Sequence, residues 1–444
     1  MMDWTHELWS ALAVSFGFLA VFGLAELWRA KAGPPVEWTR KAVHVGGGLI
    51  VCAFPWLFQS SWTVLLLCLG FGGVLILARI LKFLPSVQDV ERKSVGELVY
   101  PLAVVALFWV AHENKVFYLV PMLSLVVSDA LAALIGKSYG RLTYDVDEGE
   151  SKSFEGSAAF FLSTFLACQL PLLLMTSLDK VLVILVSLQL AYLVTCFEAI
   201  SLSGLDNLVL PLGGYYILVQ ISKGNVQWML GQLGIQGTVL LATLLVAWRF
   251  RFLSFSAALA IQLYFYGTFA YGETFWLLAP AAAMLAYLFS KAEPVRVPQR
   301  VQVLTIFYAI LAPFAILLLN NFLIVFGSGA HAGLLKALPG IFGGLHAGEL
   351  ACLALGRYKG RRLPWQVLLG LGSALILAAL SPLGLAWPAQ VPGLFVAALL
   401  PLLFVPVARL WKGQPEPVFV ARRLAVAGAA AAACGLALAW AITA

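Results

Sequence analysis

Apolar residues dominate this chain in long runs that short polar stretches interrupt. Each run is long enough to cross a hydrocarbon core of roughly 30 Å, and about sixteen of them recur along the sequence. The runs cover residues 8–28, 42–58, 62–84, 97–112, 116–136, 154–176, 181–199, 207–222, 226–248, 252–271, 274–290, 302–326, 337–356, 364–386, 390–408 and 424–441. The pattern predicts an all-α, polytopic protein whose helices span a membrane.

Composition and charge agree with a membrane protein. Hydrophobic residues make up 62% of the chain and charged residues 11%, and the mean hydropathy of +0.94 excludes a soluble globular domain. The net charge of +7 is not a nucleic-acid signal, because its distribution follows the positive-inside rule. With sixteen spans and both termini outside, every Lys and Arg lies in an inside loop except Lys115, Lys180, Lys223 and Lys336. We therefore expect a protein of the bacterial cytoplasmic membrane, with its polar motifs on the cytoplasmic face.

The two halves of the chain differ in the polarity of their inside loops. Up to about Ser222 these loops mix acids, amides, glycines and bases, whereas beyond it they carry mostly bases. Residues 1–222 are therefore predicted to form a catalytic unit of eight spans, and residues 223–444 an additional eight-span unit of unknown role. The N-terminus lacks the basic flank of a secretory signal, so the first span is expected to be retained.

Two motifs stand at the start of predicted spans. Arg40 and His44 are four residues apart, one helical turn, at the height where a phosphate could be gripped, with Lys41 beside them. For Arg40 and Lys41 alone, a positive-inside anchor is the favoured interpretation. The segment Glu91–Glu97 precedes the fourth span, and Glu97 there fits a helix cap better than a catalytic group.

Asp129 lies about seven residues inside the cytoplasmic end of the fifth span, roughly 10 Å deep at 1.5 Å per residue. A carboxylate at that depth is costly unless it is paired or metal-bound, so a functional site is expected, with an ion pair to a neighbouring helix as the alternative. Gly136, Lys137 and Gly140 follow it. The small residues allow another helix or a nucleotide to approach the backbone.

The sixth span opens with Lys152, Ser153, Glu155 and Gly156. Backbone N–H groups at a helix N-terminus bind anions, and a neighbouring lysine suits a triphosphate. Glu155 would be repelled by phosphate unless it carries a metal ion. The same segment also fits a purely structural arrangement, with Ser153 or Ser151 capping the helix and Glu155 in its first turn.

Glu198, Asp206 and Asn207 lie between the seventh and eighth spans and offer oxygen ligands of the kind that Mg²⁺ prefers. Asp206 could instead cap the eighth span. Together with Asp129 and the lysines, these acids predict a metal-bound nucleotide or phosphate beside a lipid-facing groove.

These motifs, in order, resemble the membrane-bound CTP-dependent lipid alcohol kinases, which include phytol kinase, dolichol kinase and the fungal CTP-dependent diacylglycerol kinase. The match covers about residues 35–222 and runs through Arg40-Lys41-xx-His44, Asp129-xx-Ala132-xxx-Gly136-Lys137-xx-Gly140, Lys152-Ser153-x-Glu155-Gly156-Ser157 and Glu198 to Asp206-Asn207. More distantly the chain is similar to phosphatidate cytidylyltransferases, but it lacks their second lysine before Glu-Gly and their later His-Gly-Gly signature. Soluble-kinase loops are also missing from the sequence.

The resemblance implies an enzyme that transfers the γ-phosphoryl group of CTP to a long-chain isoprenoid alcohol of the phytol, polyprenol or dolichol type. It implies that Asp129 and Asp206 hold Mg²⁺, with Glu155 or Glu198 as a further ligand or general base. Lys152, Lys137 and Arg40 would neutralise the triphosphate.

Two other functions stay open. One is a cytidylyltransferase that makes a CDP-lipid. The other is a transporter or flippase, for which the second half offers His346 and Glu349 at i, i+3 and Asn320-Asn321. We expect these residues to be packing polar groups. The identity of the alcohol and the oligomeric state are not determined by the sequence.

Overall fold

The computed structural model describes residues 4–81, 96–147, 150–201, 204, 206–250, 253–289, 303–326, 332–357, 387–410 and 417–443. The chain divides into two compact units, Met1–Gly237 and Thr238–Ala444. Residues 91–95 of the predicted Glu91–Glu97 motif and the predicted span 364–386 lie outside the described residues.

Within its described residues, the first unit consists of helices, the turns that join them and one small hairpin. Its elements are α1 (Trp4–Ala32), α2 (Val36–Cys52), α3 (Phe54–Leu57), α4 (Ser61–Leu81), α5 (Gly96–Ala111), α6 (Lys115–Leu123), a π-helical segment (Ser124–Ser128), α7 (Asp129–Tyr139), β1 (Thr143–Asp147), β2 (Glu150–Ser153), α8 (Phe154–Met175), α9 (Lys180–Ile200) and α10 (Asp206–Ile221), with α11 (Val226–Phe250) following. The prediction of an all-α protein is confirmed, although the inside loop after α7 contains the two strands.

Nearly all the described residues of the second unit are helical. It contains α12 (Phe255–Trp276), α13 (Leu278–Phe289), α14 (Val303–Phe326), α15 (Ala332–Arg357), α16 (Trp387–Leu410) and α17 (Pro417–Thr443). Its core includes fully buried side chains of α15 and α16, among them Leu338, Phe342 and Leu400.

The chain is an integral membrane protein, but sixteen spans are not supported. Among the described residues, seven helices are long and apolar enough to cross a membrane: Trp4–Ala32, Lys115–Tyr139, Phe154–Met175, Lys180–Ile200, Val226–Arg249, Val303–Ile324 and Arg422–Ile442. Ser61–Val74, Val99–Ala111 and Val391–Phe404 are shorter apolar helices. Hydropathy overcounts because it measures composition, whereas a span also needs one continuous helix of about twenty residues. The predicted span 42–58, for example, is divided between α2 and α3.

A broken helix lies at the centre of the first unit. The π-helical segment separates α6 from α7, and together these three pieces form the candidate span Lys115–Tyr139. They pack against α2, α8 and α10, and Leu125 and Val126 of the π segment are fully buried. Residues placed on the broken helix therefore face several neighbouring helices.

The hairpin after α7 carries Lys152 back toward the helices. β1 and β2 are antiparallel, with Thr143 opposite Ser153 and Tyr144 opposite Lys152. Tyr144 is buried, and its hydroxyl is 2.7 Å from the hydroxyl oxygen of Ser157 on α8. This anchors the hairpin to the start of α8.

Candidate active site

Asp129 is positioned by an irregular backbone. It follows the π-helical segment directly and is the first residue of α7. Segments of π-helix inside longer helices occur frequently at functional sites. Residues 116–136 were predicted to form one regular span, so this break was not predicted. Ser128, which precedes Asp129, is fully buried, and its hydroxyl has no hydrogen-bond partner among the described residues.

Two residues of α2 face the Asp129 carboxylate. The Lys41 Nζ lies 2.5 Å from Oδ2 of Asp129 and 3.5 Å from its carbonyl oxygen. The His44 Nε2 is 3.6 Å from the same Oδ2 and 3.2 Å from the carbonyl oxygen of Leu125. Since a carbonyl only accepts, the short contact with Leu125 indicates that Nε2 carries a proton. The structure thus brings Lys41, His44 and Asp129 together.

Arg40 lies in a second charged group on the rim of this cluster. Its guanidinium is 2.6 Å from Glu37, and the Lys137 Nζ of α7 is 3.0 Å from the other oxygen of Glu37. Burial by itself would raise the pKa of Glu37, but the hydrogen bonds and charges of Arg40 and Lys137 outweigh it and lower that pKa. Glu37 was missed by the sequence analysis, although its i, i+3 spacing from Arg40 was a signal.

Lys152 is bound to the end of α9. Its Nζ lies 2.7 Å from Oε1 of Glu198 and also donates to the carbonyl oxygen of that residue. The ammonium therefore satisfies a helix C-terminal carbonyl and neutralises a buried carboxylate at once. The side chains are 24% and 10% exposed, respectively, so the pair is largely shielded from solvent.

Asp206 begins α10 after a turn at Gly204, whose φ of 90° lies in the region that favours glycine. Burial raises the pKa of Asp206, the charge of Asp129 raises it further, and the charges of Lys152 and Lys41 act in the opposite direction. These interactions place two carboxylates and two ammonium groups in one electrostatic cluster.

Asn207 ties the start of α10 to the start of α5. Its side-chain amide donates to the carbonyl oxygen of Gly96 at 3.0 Å, and its backbone N–H donates to Oδ1 of Asp206 at 2.9 Å. The backbone contact fixes one oxygen of the Asp206 carboxylate, and Asn207 thereby orients the acid.

Ser153 and Glu155 make the contacts expected of the structural alternative. The Ser153 Oγ accepts from the N–H of Gly156 at 3.1 Å and caps α8. The Glu155 Oε1 accepts from the N–H groups of Arg141 and Leu142 at 3.0 and 3.3 Å. Glu155 therefore stabilises the turn into the hairpin, and its predicted part in metal binding or proton transfer remains a prediction.

The glycines form a close contact between α7 and α8. A Cβ atom added to Gly156 would lie 2.9 Å from the carbonyl oxygen of Ala132 and 3.3 Å from the Cα of Gly136, and one added to Gly136 would lie 2.9 Å from Oγ of Ser153. Gly140 is equally crowded by Ser153. The sequence allowed either another helix or a nucleotide to approach the backbone at these glycines, and in the structure α7 and α8 approach each other there.

The donor set around Asp129 and Asp206 fits a nucleotide-bound Mg²⁺. Within the part of the chain that the structure describes, no three His, Cys, Asp or Glu side chains lie close enough to hold a metal by themselves. Mg²⁺, however, is commonly bound by one or two carboxylates together with water and substrate phosphates. Asp129 and Asp206, whose charges interact, are the two carboxylates that such a site would use.

Comparison with known proteins identifies a relative of this chain. The chain is 34% identical over 213 residues to the phytol kinase of Synechocystis sp., a match that covers 47% of this chain and 91% of that protein. No protein-family model and no solved structure matches the chain. The matched length is less than half of the chain.

Proposed function

Because the chain belongs to the phytol kinase family, we propose that it transfers the γ-phosphoryl group of CTP to the hydroxyl of a long-chain isoprenoid alcohol. The observation that carries the proposal is the buried cluster in which Asp129 meets Lys41 and His44 and interacts with Asp206 and Lys152. Phosphoryl transfer needs mainly positioning and charge neutralisation, and this cluster supplies both kinds of charge.

In this proposal the cations of the site bind the triphosphate. Lys152 and Lys41 are shielded from solvent, and the positive charges of both interact with the carboxylates of Asp129 and Asp206. Arg40 and Lys137 lie on the rim and share Glu37. In the proposal these two groups form the entrance of the site, where an incoming triphosphate competes with Glu37 for them.

Asp129 and Asp206 would hold Mg²⁺, which neutralises charge on the phosphates when it is bound. Lys41 and His44 hold the Asp129 carboxylate in place, and the backbone N–H of Asn207 holds that of Asp206. Of the two acids proposed as a base, Glu198 is favoured over Glu155. Glu198 forms an ion pair with Lys152, which belongs to the charged cluster, whereas Glu155 accepts hydrogen bonds from the backbone before the hairpin.

The cytoplasmic placement of the site and entry of the alcohol from the inner leaflet belong to the same proposal. They are supported by the positive-inside distribution of Lys and Arg. Phytol, geranylgeraniol and polyprenols are the acceptor alcohols to test.

The proposal is tested with purified protein, γ-³²P-labelled CTP and Mg²⁺. We expect label in a lipid monophosphate and release of CDP with phytol, geranylgeraniol or a polyprenol, and no activity in Asp129→Asn. The matched control is Asp179→Asn at the start of α9, where Asn retains the N-cap function of Asp179. Full activity in Asp129→Asn contradicts the assignment. Release of pyrophosphate with a CDP-lipid supports a cytidylyltransferase, and uptake into sealed vesicles without label transfer supports a transporter.

A further inference from the structure

The second unit contains a hydrogen-bonded chain of three polar side chains, two buried and one half-buried, that the kinase proposal does not use. The hydroxyl oxygen of Tyr264 on α12 is 2.7 Å from Nε2 of His346 on α15, and Nδ1 of His346 is 3.2 Å from Oε2 of Glu349. Tyr264 and His346 are 5% and 4% exposed. His346 and Glu349 were predicted to be packing residues, because no further ligand accompanies them in the sequence. Tyr264, which joins them here, is 82 residues from His346.

An ionised Glu349 together with a neutral His346 sets the direction of the hydrogen bonds in this chain. An ionised Glu349 only accepts, so Nδ1 of His346 donates to it. With a neutral imidazole, Nε2 then accepts the hydroxyl proton of Tyr264. A phenol that donates its proton retains acceptor capacity on its oxygen. The end of the chain at Tyr264 therefore suits a ligand that brings its own donor.

All three residues line one cavity of about 140 Å³ between α12, α13, α14 and α15. The rest of its wall is apolar and includes Ile261, Met284, Ile306 and Ile310. Pockets that enclose a whole drug-sized ligand measure roughly 300–1,000 Å³. This cavity therefore accepts one end of a molecule, and its apolar wall selects a hydrocarbon next to that end.

Charge selects the head group. Glu349 carries a negative charge, and the described residues that line the cavity include neither Lys nor Arg. Among these residues a phosphate monoester finds no compensating cation, and the carboxylate repels it. A neutral hydroxyl both donates to the oxygen of Tyr264 and avoids the repulsion.

We propose that the second unit binds the hydroxyl end of a long-chain alcohol at Tyr264, with His346 and Glu349 holding the phenol in place. The ligand class follows from the cavity itself. The inference that this alcohol is also the acceptor at Asp129 rests on the proposed function. A site that takes the alcohol and rejects its monophosphate would hold substrate without retaining product.

The test is photolabelling of the full-length protein in phosphatidylcholine nanodiscs with a twenty-carbon alcohol that carries a diazirine beside its hydroxyl. We expect label in the peptides of α12 and α15, and competition by the unmodified alcohol. The monophosphate of that alcohol and the alkane of the same length should compete at least about tenfold more weakly. Equal competition by the alkane or the monophosphate overturns the proposal, as does absence of label from both helices.

Variants separate binding from packing. Tyr264→Phe and Glu349→Gln should each raise the concentration for half-maximal labelling by about five- to tenfold, the effect of one hydrogen bond. The matched control is Tyr266→Phe, which makes the same change two residues along α12, outside the cavity wall. If a variant folds poorly, as judged by gel filtration, His346→Gln takes its place. Unchanged labelling in all of them shows that the three residues only pack.

The variant Asp129→Asn distinguishes this proposal from the kinase proposal. It should lose phosphoryl transfer and keep the label in α12 and α15. Loss of the label in Asp129→Asn overturns a separate second site. If the unsubstituted protein is labelled normally but shows no kinase activity, only the proposed function is overturned.

Discussion

Replacing Lys41 by methionine should destabilise the first unit strongly. The side chains of Lys41 and Asp129 are 7% and 16% exposed, and their charged atoms are 2.5 Å apart. Removal of one partner of such a buried pair costs about 3–5 kcal/mol, because the other charge stays buried and uncompensated. The part of the Asp129 side chain that stays exposed to solvent offsets part of this loss. We therefore expect about 3 kcal/mol, the lower end of that range.

Lys137→Met is the matched control for this experiment. Its side chain is 65% exposed and also pairs with a carboxylate, Glu37, at 3.0 Å. Solvent screens such a pair, so the expected loss is at most about 1 kcal/mol. The free energy of unfolding is measured by titrating the purified variants from mild detergent into SDS and following helical circular dichroism.

The double variant Lys41→Met/Asp129→Asn completes the test. It removes both charges, so it should regain most of the stability that Lys41→Met loses, although it remains inactive. The reasoning is refuted if Lys41→Met is no more destabilising than Lys137→Met. It is equally refuted if the double variant is as unstable as the sum of the two single variants.

Two further predictions concern the helix contact and the second acid. Gly156→Ala should lower the thermal unfolding midpoint and the activity, because the new methyl group would lie 2.9 Å from the carbonyl oxygen of Ala132. Gly213→Ala on α10, where the added methyl group meets open space, should leave both quantities unchanged. Equal effects of the two variants would contradict the importance of the contact at Gly156. Asp206→Asn should abolish activity yet raise stability at neutral pH. The pKa of Asp206 is raised by burial and by Asp129, so ionisation of Asp206 costs stability as pH rises through that pKa. The stability gained by Asp206→Asn should therefore vanish below the unfolded-state pKa of an aspartate. Unfolding midpoints measured across pH check this sign, and a gain that grows toward acid pH would contradict it.

Hydropathy and motif order predicted much of what the comparisons bear out. The apolar runs predicted an all-α membrane protein, and the ordered motifs predicted the kinase family to which the chain belongs. Local capping was readable in part: the sequence predicted a serine cap of α8 at Ser153 or Ser151 before a long apolar run, and the structure shows Ser153. The number of spans was not readable, because breaks such as the one between α2 and α3 leave the hydropathy of a segment unchanged.

The sequence by itself determined which residue types were costly enough in an apolar chain to require partners, and Asp129 was foremost among them. Only the tertiary structure decided who those partners are. Lys41, which is 88 residues away in sequence, pairs with Asp129, whereas the neighbouring Arg40 turns to Glu37. Adjacent helical positions point about 100° apart, so a single residue of register separates a buried ion pair from the rim of the site. That register is set by the packing of α2 against the π-helical segment, and no local pattern of hydropathy encodes it.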